Sequence, residues 1–335
     1  MRFPRLTIFR ILIISVTLLY LTFNTKTFRN AGLFLTGKSK YNKCFIDPRT
    51  DSKIISTKDG PEMAALIEKE CALVDPSVRD DCVIPNVVHL TIGRKFRFEN
   101  YLSVKSIHDI IKPDMIFVHG DVFPMENELF ARAIKEFKLE LVLSRKGDTV
   151  YNITVTKGEH MSDIVRMETL IRYGGMYFDL DVFVLKDMKP FLKKENEFVI
   201  GYQNKESHFG LNNGLMLSKR CSRFMIWWYR NYQTMNPKDW DYHSVKLPLK
   251  LYDMNPANVL AVDKELLSDW HNLPMFQKKY DPEFWKDVRA IHSFYRPYRT
   301  LMEKNKKVVD FETVKDIDNN FGRWARFILY GGPPL

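Results

Sequence analysis

The chain has 335 residues, 45% hydrophobic, 13% aromatic and 27% charged, a balance that supports a sizeable buried core in one large domain or two small ones and excludes a disordered or low-complexity chain. Its net charge of +10 is concentrated at the start: residues 1–60 carry 11 Lys+Arg against 3 Asp+Glu, leaving 40 against 38 for residues 61–335. The body is nearly neutral and lacks the basic stripe that a nucleic-acid-binding face needs.

The first element is the apolar, uncharged run of residues 11–23, preceded by Arg2, Arg5 and Arg10. A bilayer core takes about 20 helical residues, so the run needs residues 6–9 as well, with Arg10 snorkelling to the headgroups. No small-x-small site follows, which favours an uncleaved signal anchor over residues 1–25 rather than a cleaved signal peptide. Either reading places the body outside the cytosol. Residues 26–82 are polar, basic and weakly periodic apart from a helix-like run after Pro61, and they are expected to form a stem.

The four cysteines, Cys44, Cys71, Cys82 and Cys221, match no zinc or redox spacing. In an oxidising compartment they are disulfide candidates with three possible connectivities, Cys71 and Cys82 being closest in sequence, and Cys221 reads equally well as a free buried thiol. Asn152-Ile153-Thr154 is an acceptor triplet for N-glycosylation.

From residue 83 onward, strand-length apolar runs alternate with helix-period segments. NVVHLTI reads as a strand, ENYLSVKSIHDII as a helix, MIFVHG as a strand, MENELFARAIKEF as a helix and LELVLS as a strand. EFVIGYQ and NGLMLSK follow later as strands. The alternation predicts an α/β body over residues 83–335, with a mainly parallel sheet covered by helices on both faces and ligands at the carboxyl ends of its strands. Trp227, Trp228 and Trp285 sit in helical segments at core spacing rather than as sugar-stacking platforms. No GxGxxG, P-loop, HExxH or GxSxG motif is present.

The chemistry points to SDIVRMETLIRYGGMYFDLDVFVL, residues 162–185. Three Asp-x-Asp triplets occur, but Asp239-Trp240-Asp241 and Asp316-Ile317-Asp318 lie in polar surroundings and read as solvated surface. Asp179-Leu180-Asp181 differs because a carboxylate pair inside an apolar run needs a partner. Ser162 is placed to cap a helix bearing Asp163 and Arg166, Gly174 and Gly175 turn the chain, and residues 176–178 extend as a strand. Carboxylates at i and i+2 offer hard oxygens for Mn²⁺ or Mg²⁺, which would neutralise a departing diphosphate. Arg166 is positioned for bidentate contact with a phosphate or sugar hydroxyl, or else for a plain surface pair with Asp163.

This segment, an S-D-x-x-R helix followed by G-G-x-Y-x-D-x-D, resembles the sugar-binding DXD region of the Golgi glycosyltransferase family that includes α-1,4-galactosyltransferases, α-1,4-N-acetylglucosaminyltransferases and initiating mannosyltransferases. IPNVVHLTIG resembles that family's first strand, and NNGLMLSK a later one. The resemblance implies a GT-A type, Rossmann-like fold in a single-pass type II Golgi membrane protein with a lumenal catalytic domain. It implies transfer of a hexose from a nucleotide sugar, UDP-linked, to a glycan, glycolipid or glycoprotein hydroxyl, with retention. It further implies Mn²⁺ (or Mg²⁺) at Asp181 and Asp179 and donor contacts from Asp163, Arg166, Asp179, Asn213 and His89. It extends to His292, in AIHSFYRPY, as a third metal ligand, although a lone histidine after an apolar pair is also readable as structural. Rival readings are a haloacid-dehalogenase-type phosphatase, which would carry D-x-D on its first strand, and a catalytically silent sugar-binding relative.

Overall fold

The computed structural model describes residues 44–53, 57, 59–268, 274–305 and 308–331. The expected anchor, residues 1–25, and the stem up to residue 43 lie outside the described residues. Among the described residues no helix is long and apolar enough to cross a membrane.

Helix α1 (Gly60–Ala72) begins with Asp59 accepting from the Glu62 N–H and buries Met63, Ala64 and Ile67, the stripe of an amphipathic helix that has found its core. It belongs to a compact unit that spans Lys43–Leu335. The physical reason is covalent as well as apolar. Cys44 is bonded to Cys82 and Cys71 to Cys221, tying residues 44–82 to the far half of the chain.

Strand β1 (Val87–Thr91), helix α2 (Phe98–Ser106), strand β2 (Met115–Gly120), helix α3 (Glu128–Phe137) and strand β3 (Glu140–Leu143) follow the expected alternation. A hairpin, β4 (Thr149–Val150) and β5 (Ile153–Thr154), leads into helix α4 (Gly158–Tyr173) and strand β6 (Gly175–Phe178). Next come β7 (Val182–Val184), β8 (Phe198–Asn204), β9 (Gly210–Ser218), α5 (Arg223–Arg230), α6 (Leu247–Met254), β10 (Val259–Val262) and β11 (Leu266–Leu267). The chain closes with β12 (Ala290–His292), α7 (Tyr295–Lys304) and α8 (Asn320–Tyr330).

The main sheet has seven strands in the order β10-β8-β9-β6-β1-β2-β3. Only β9 runs against the others, pairing antiparallel with both β6 and β8. One face packs Val88, Leu90, Met176 and Phe178 toward α2 and α3. The other packs Tyr177, Ile200 and Met216 against α1, α4 and α5, so the sheet is mixed α/β and covered on both sides. Trp228 and Trp285 are buried, as their helical spacing predicts. A second sheet, β11-β12-β7, joins residues far apart in sequence.

Candidate active site

The site is built at the carboxyl end of β6. Helix α4 ends at Gly174, whose φ of +71°, with +106° at Gly175, is open to glycine and costly for other residues. A Cβ at Gly174 would stand 2.7 Å from the Arg220 nitrogen, and one at Gly175 2.7 Å from Val87 Cγ2. The two glycines let the chain reverse tightly, and β6 then carries Asp179 and Asp181 to the switch between β6 and β9. There the Asp179 N–H donates to the Gly214 carbonyl (2.7 Å) and the Val182 N–H to the Asp179 carbonyl (3.0 Å). From α2, Asn100 Nδ2 donates to the Leu180 carbonyl (3.0 Å) and Ser103 Oγ to that of Val182 (2.7 Å). The backbone of the aspartate turn is thus fixed from both sides.

His292 arrives on β12, which pairs with β7 so that His292 lies opposite Val182. Its Nε2 is 3.1 Å from Asp181 Oδ1 and 3.9 Å from Asp179 Oδ2, and its Nδ1 is 3.1 Å from Asn212 Oδ1. Donation from Nδ1 to Asn212 directs Nε2 at the two carboxylates. Gly214 makes room, since a Cβ there would stand 2.7 Å from His292 Nδ1. Ligand atoms of Asp179, Asp181 and His292 all lie within 4.8 Å of one another, a set that could hold a metal ion. Burial disfavours the imidazolium, but Asp181 and Asp179 outweigh it, so the His292 pKa is raised. Burial likewise disfavours the Asp181 carboxylate, and His292 with the Tyr295 N–H outweighs it, so that pKa is lowered. Ser293 holds the Asp181 carbonyl through N–H (3.0 Å) and Oγ (2.8 Å), and the Tyr295 N–H reaches Asp181 Oδ2 at 3.2 Å. Between them Phe294, at φ +48°, stacks on the His292 ring at 4.0 Å, a strained conformation for a bulky residue.

Arg166 forms the layer behind Asp179. Its Nη1 donates to Asn213 O and Oδ1 (both 3.0 Å) and to Asp179 Oδ2 (3.2 Å), and its Nη2 to Ser162 Oγ (3.1 Å) and Asp179 Oδ1 (3.0 Å). The guanidinium stands over the Tyr177 ring at 4.7 Å. With these donors engaged by the protein, Arg166 positions Asp179 in this geometry. Neither a surface pair nor a lone one forms: Asp163, 3.5 Å from Arg166, is buried and accepts from Asn213 Nδ2 at 2.8 Å. Burial raises the Asp163 pKa despite Arg166.

One expectation changes. Ser162 does not cap α4, which starts at Gly158 behind Lys157; it lies one turn inside, bonded to Thr91 Oγ1 (2.8 Å) and to Arg166. His89 is buried, with Nε2 donating to the Gly174 carbonyl (2.9 Å) and Nδ1 facing His119 (2.9 Å). There it supports the glycine turn at the end of α4. Burial pushes its pKa down to about 4. Tyr177 is the residue the sequence reading passed over. Its hydroxyl donates to Asp179 Oδ1 at 2.7 Å and lies 2.7 Å from Thr91 Oγ1, and its place two residues before Asp179, on the same side of a strand, is the signal that finds it.

Asp179 and Asp181 open on a cleft of about 650 Å³ that runs across the ends of β1, β2 and β3, past Lys95, His119 and Arg145, to Ser162 on α4 and Arg296 on α7. That size suits a nucleotide-scale ligand. Residues 105–199 match the family described as the glycosyltransferase sugar-binding region containing DXD motif. Glucan organizing enzyme 1 of Cryptococcus neoformans var. grubii serotype A is 22% identical over 264 residues, covering 73% of this chain and 70% of that protein. Among solved structures, the galactosyltransferase LgtC in complex with donor and acceptor sugar analogs aligns at 12% identity and a TM-score of 0.40 over 69% of this chain and 99% of its own. PaToxG glycosyltransferase aligns at 11% and 0.38 over 78% and 96%. The matched region holds Arg166, the glycine turn and both aspartates of the cleft, and the family and relative matches support a glycosyltransferase with a DXD-containing sugar-binding region.

Proposed function

We propose that this glycosyltransferase moves a hexose from a nucleoside-diphosphate sugar, UDP-linked, to a hydroxyl of a glycan, glycolipid or glycoprotein, with a divalent cation at Asp179, Asp181 and His292 and with retention of configuration. The observation that carries the reading is the convergence of those three side chains within 4.8 Å beside the cleft. Two carboxylates and an imidazole form an oxygen-rich, partly nitrogen donor set that suits Mn²⁺, with Mg²⁺ second. When bound, such a cation supplies Lewis-acid compensation for the charge that develops on a leaving diphosphate. The protein's own part is preorganisation. Arg166 and Tyr177 hold the Asp179 carboxylate, the residues 293–295 loop holds Asp181, and Asn212 aims His292. No side-chain base is assigned for the acceptor hydroxyl; in a retaining transfer the leaving diphosphate can accept that proton.

We extend the proposal to a type II Golgi membrane protein with its catalytic body in the lumen. Two disulfides support an oxidising compartment, and the apolar run of residues 11–23 supports the anchor. The test is release of nucleoside diphosphate from a panel of nucleotide sugars with Mn²⁺. Asp181→Asn is expected to abolish cation-dependent release without altering the circular dichroism spectrum. Full turnover in that variant, or no cleavage of any nucleotide sugar by the native protein, refutes the reading.

A further inference from the structure

Trp240 is 56% exposed, in a protein that buries Trp228, Trp285 and Trp324. A single exposed apolar residue ordinarily calls for no explanation. This one is held in place. His160 Nε2 donates to the Trp240 carbonyl at 3.2 Å, the His160 ring lies 5.7 Å from the indole, and Lys157 Nζ stands 5.3 Å from its centroid. Lys157 and His160 flank Gly158 on the first turn of α4, and Gly158, Met161 and Ser162 line the cleft together with Asp179 and Asp181. Through Lys157 and His160 the indole stands beside the turn of α4 whose Gly158 and Met161 line the cleft. His160 Nδ1 is buried and without a hydrogen-bond partner among the described residues.

The carboxyl ends of β1, β2 and β3 form one end of the cleft, the position at which parallel sheets take nucleotides. The chain just after Trp240 packs on β9, across β6 from those strands, with Gly210 so close to Val245 that a Cβ would clash. On either side of Trp240 in the chain, Asp239 is exposed and accepts from the Tyr242 N–H at 3.2 Å, and Asp241 pairs with Lys246 at 2.8 Å. A part-exposed indole flanked in sequence by two carboxylates combines an apolar face with hydroxyl acceptors, which matches the C–H face and rim hydroxyls of a pyranose.

We infer that Trp240 is the stacking platform for the acceptor saccharide, an inference that rests on the transferase reading above. Methyl hexopyranosides and the disaccharides maltose, cellobiose and lactose serve as probes. Trp240→Ala is expected to raise the acceptor KM about five- to tenfold, and Trp240→Phe to restore most of it, with the donor KM unmoved. Saccharide is also expected to shift the tryptophan emission of the native protein and not that of Trp240→Phe. An unchanged acceptor KM in Trp240→Ala, a donor KM that rises in parallel, or no emission response to any probe overturns the assignment. If the native protein cleaves no nucleotide sugar, the transferase reading fails, and the emission titration still decides whether Trp240 binds saccharide.

Discussion

Replacing Arg166 by methionine tests the layer that holds the aspartates. The side chain is 6% exposed and faces Asp163 at 3.5 Å and Asp179 at 3.0 Å. Methionine fills similar volume, so the loss is chiefly electrostatic: removing one partner of a buried ion network costs about 3–5 kcal/mol. The lower end is expected here, because Asp163, whose pKa burial already raises, relieves its isolation by taking up a proton. The sign follows from that. In the variant the native Asp163 binds its proton more tightly than the unfolded chain does, so the penalty is fully present at pH 7 and shrinks as pH falls through the native pKa. Urea unfolding at pH 7 is expected to show a loss of about 3 kcal/mol, smaller at pH 5. Adding Asp163→Asn should cost less in the Arg166→Met background than alone, a coupling of about 1 kcal/mol or more. A loss below about 1 kcal/mol at pH 7, or strict additivity of the two substitutions, would refute the idea that Arg166 compensates buried carboxylates.

The histidine pair beneath the glycine turn predicts acid sensitivity. His89 is pushed down to about 4 from 6.5 and His119 also lies below its ordinary value, burial being the main cause in both. Between those values the unfolded chain binds protons that the native state refuses, so stability falls as pH drops from 6.5 toward 4, by about 3 kcal/mol for His89 alone. His89→Gln keeps a donor for the Gly174 carbonyl without titrating, and its urea midpoints should decline less over that window; parallel curves would count against the account. The disulfides differ in the loops they close, 150 residues for Cys71–Cys221 and 38 for Cys44–Cys82. Chain entropy makes paired serine substitution at the longer loop costlier by about 1 kcal/mol, and equal or inverted losses on denaturation would show that denatured-state entropy is not what separates them.

The parallel half of the sheet was legible because β1, β2 and β3 are apolar runs separated by helix-period segments of ordinary length. The aspartate pair was legible because two glycines and a short strand leave its direction little freedom. Less could be read where few residues carry the structure. The strand β12 that delivers His292 is three residues long and has no measurable period, so only family resemblance singled out that histidine. The direction of His89 was hidden for a related reason: a strand buried on both faces shows no alternation, and nothing in VVHLT says which layer its side chain enters. The cysteine pairing depended on α1 docking against α4, and that docking makes residues 60–82 part of the body.

The specificity of the combined motif follows from two periods meeting at one place. Ser162, Asp163 and Arg166 stand at helical spacings of one, three and four, which turns them toward a common side of α4. Gly175, Tyr177 and Asp179 stand at the strand spacing of two, which turns them toward the same layer, while Met176 and Phe178 enter the opposite core. The glycine turn sets the phase between the periods, and His89 occupies the space that Gly175 leaves, with Nε2 3.3 Å from where a Cβ would be. Only in that phase can Tyr177 hold both Arg166, over its ring at 4.7 Å, and Asp179, through its hydroxyl at 2.7 Å. Insertion of one residue between Arg166 and Tyr177 would break the phase while leaving every charged group in the sequence. The Asp-x-Asp triplet is therefore informative only with the residues that set its direction; the two other triplets lack them and lie outside the sheets, with Asp239, Asp316 and Asp318 exposed.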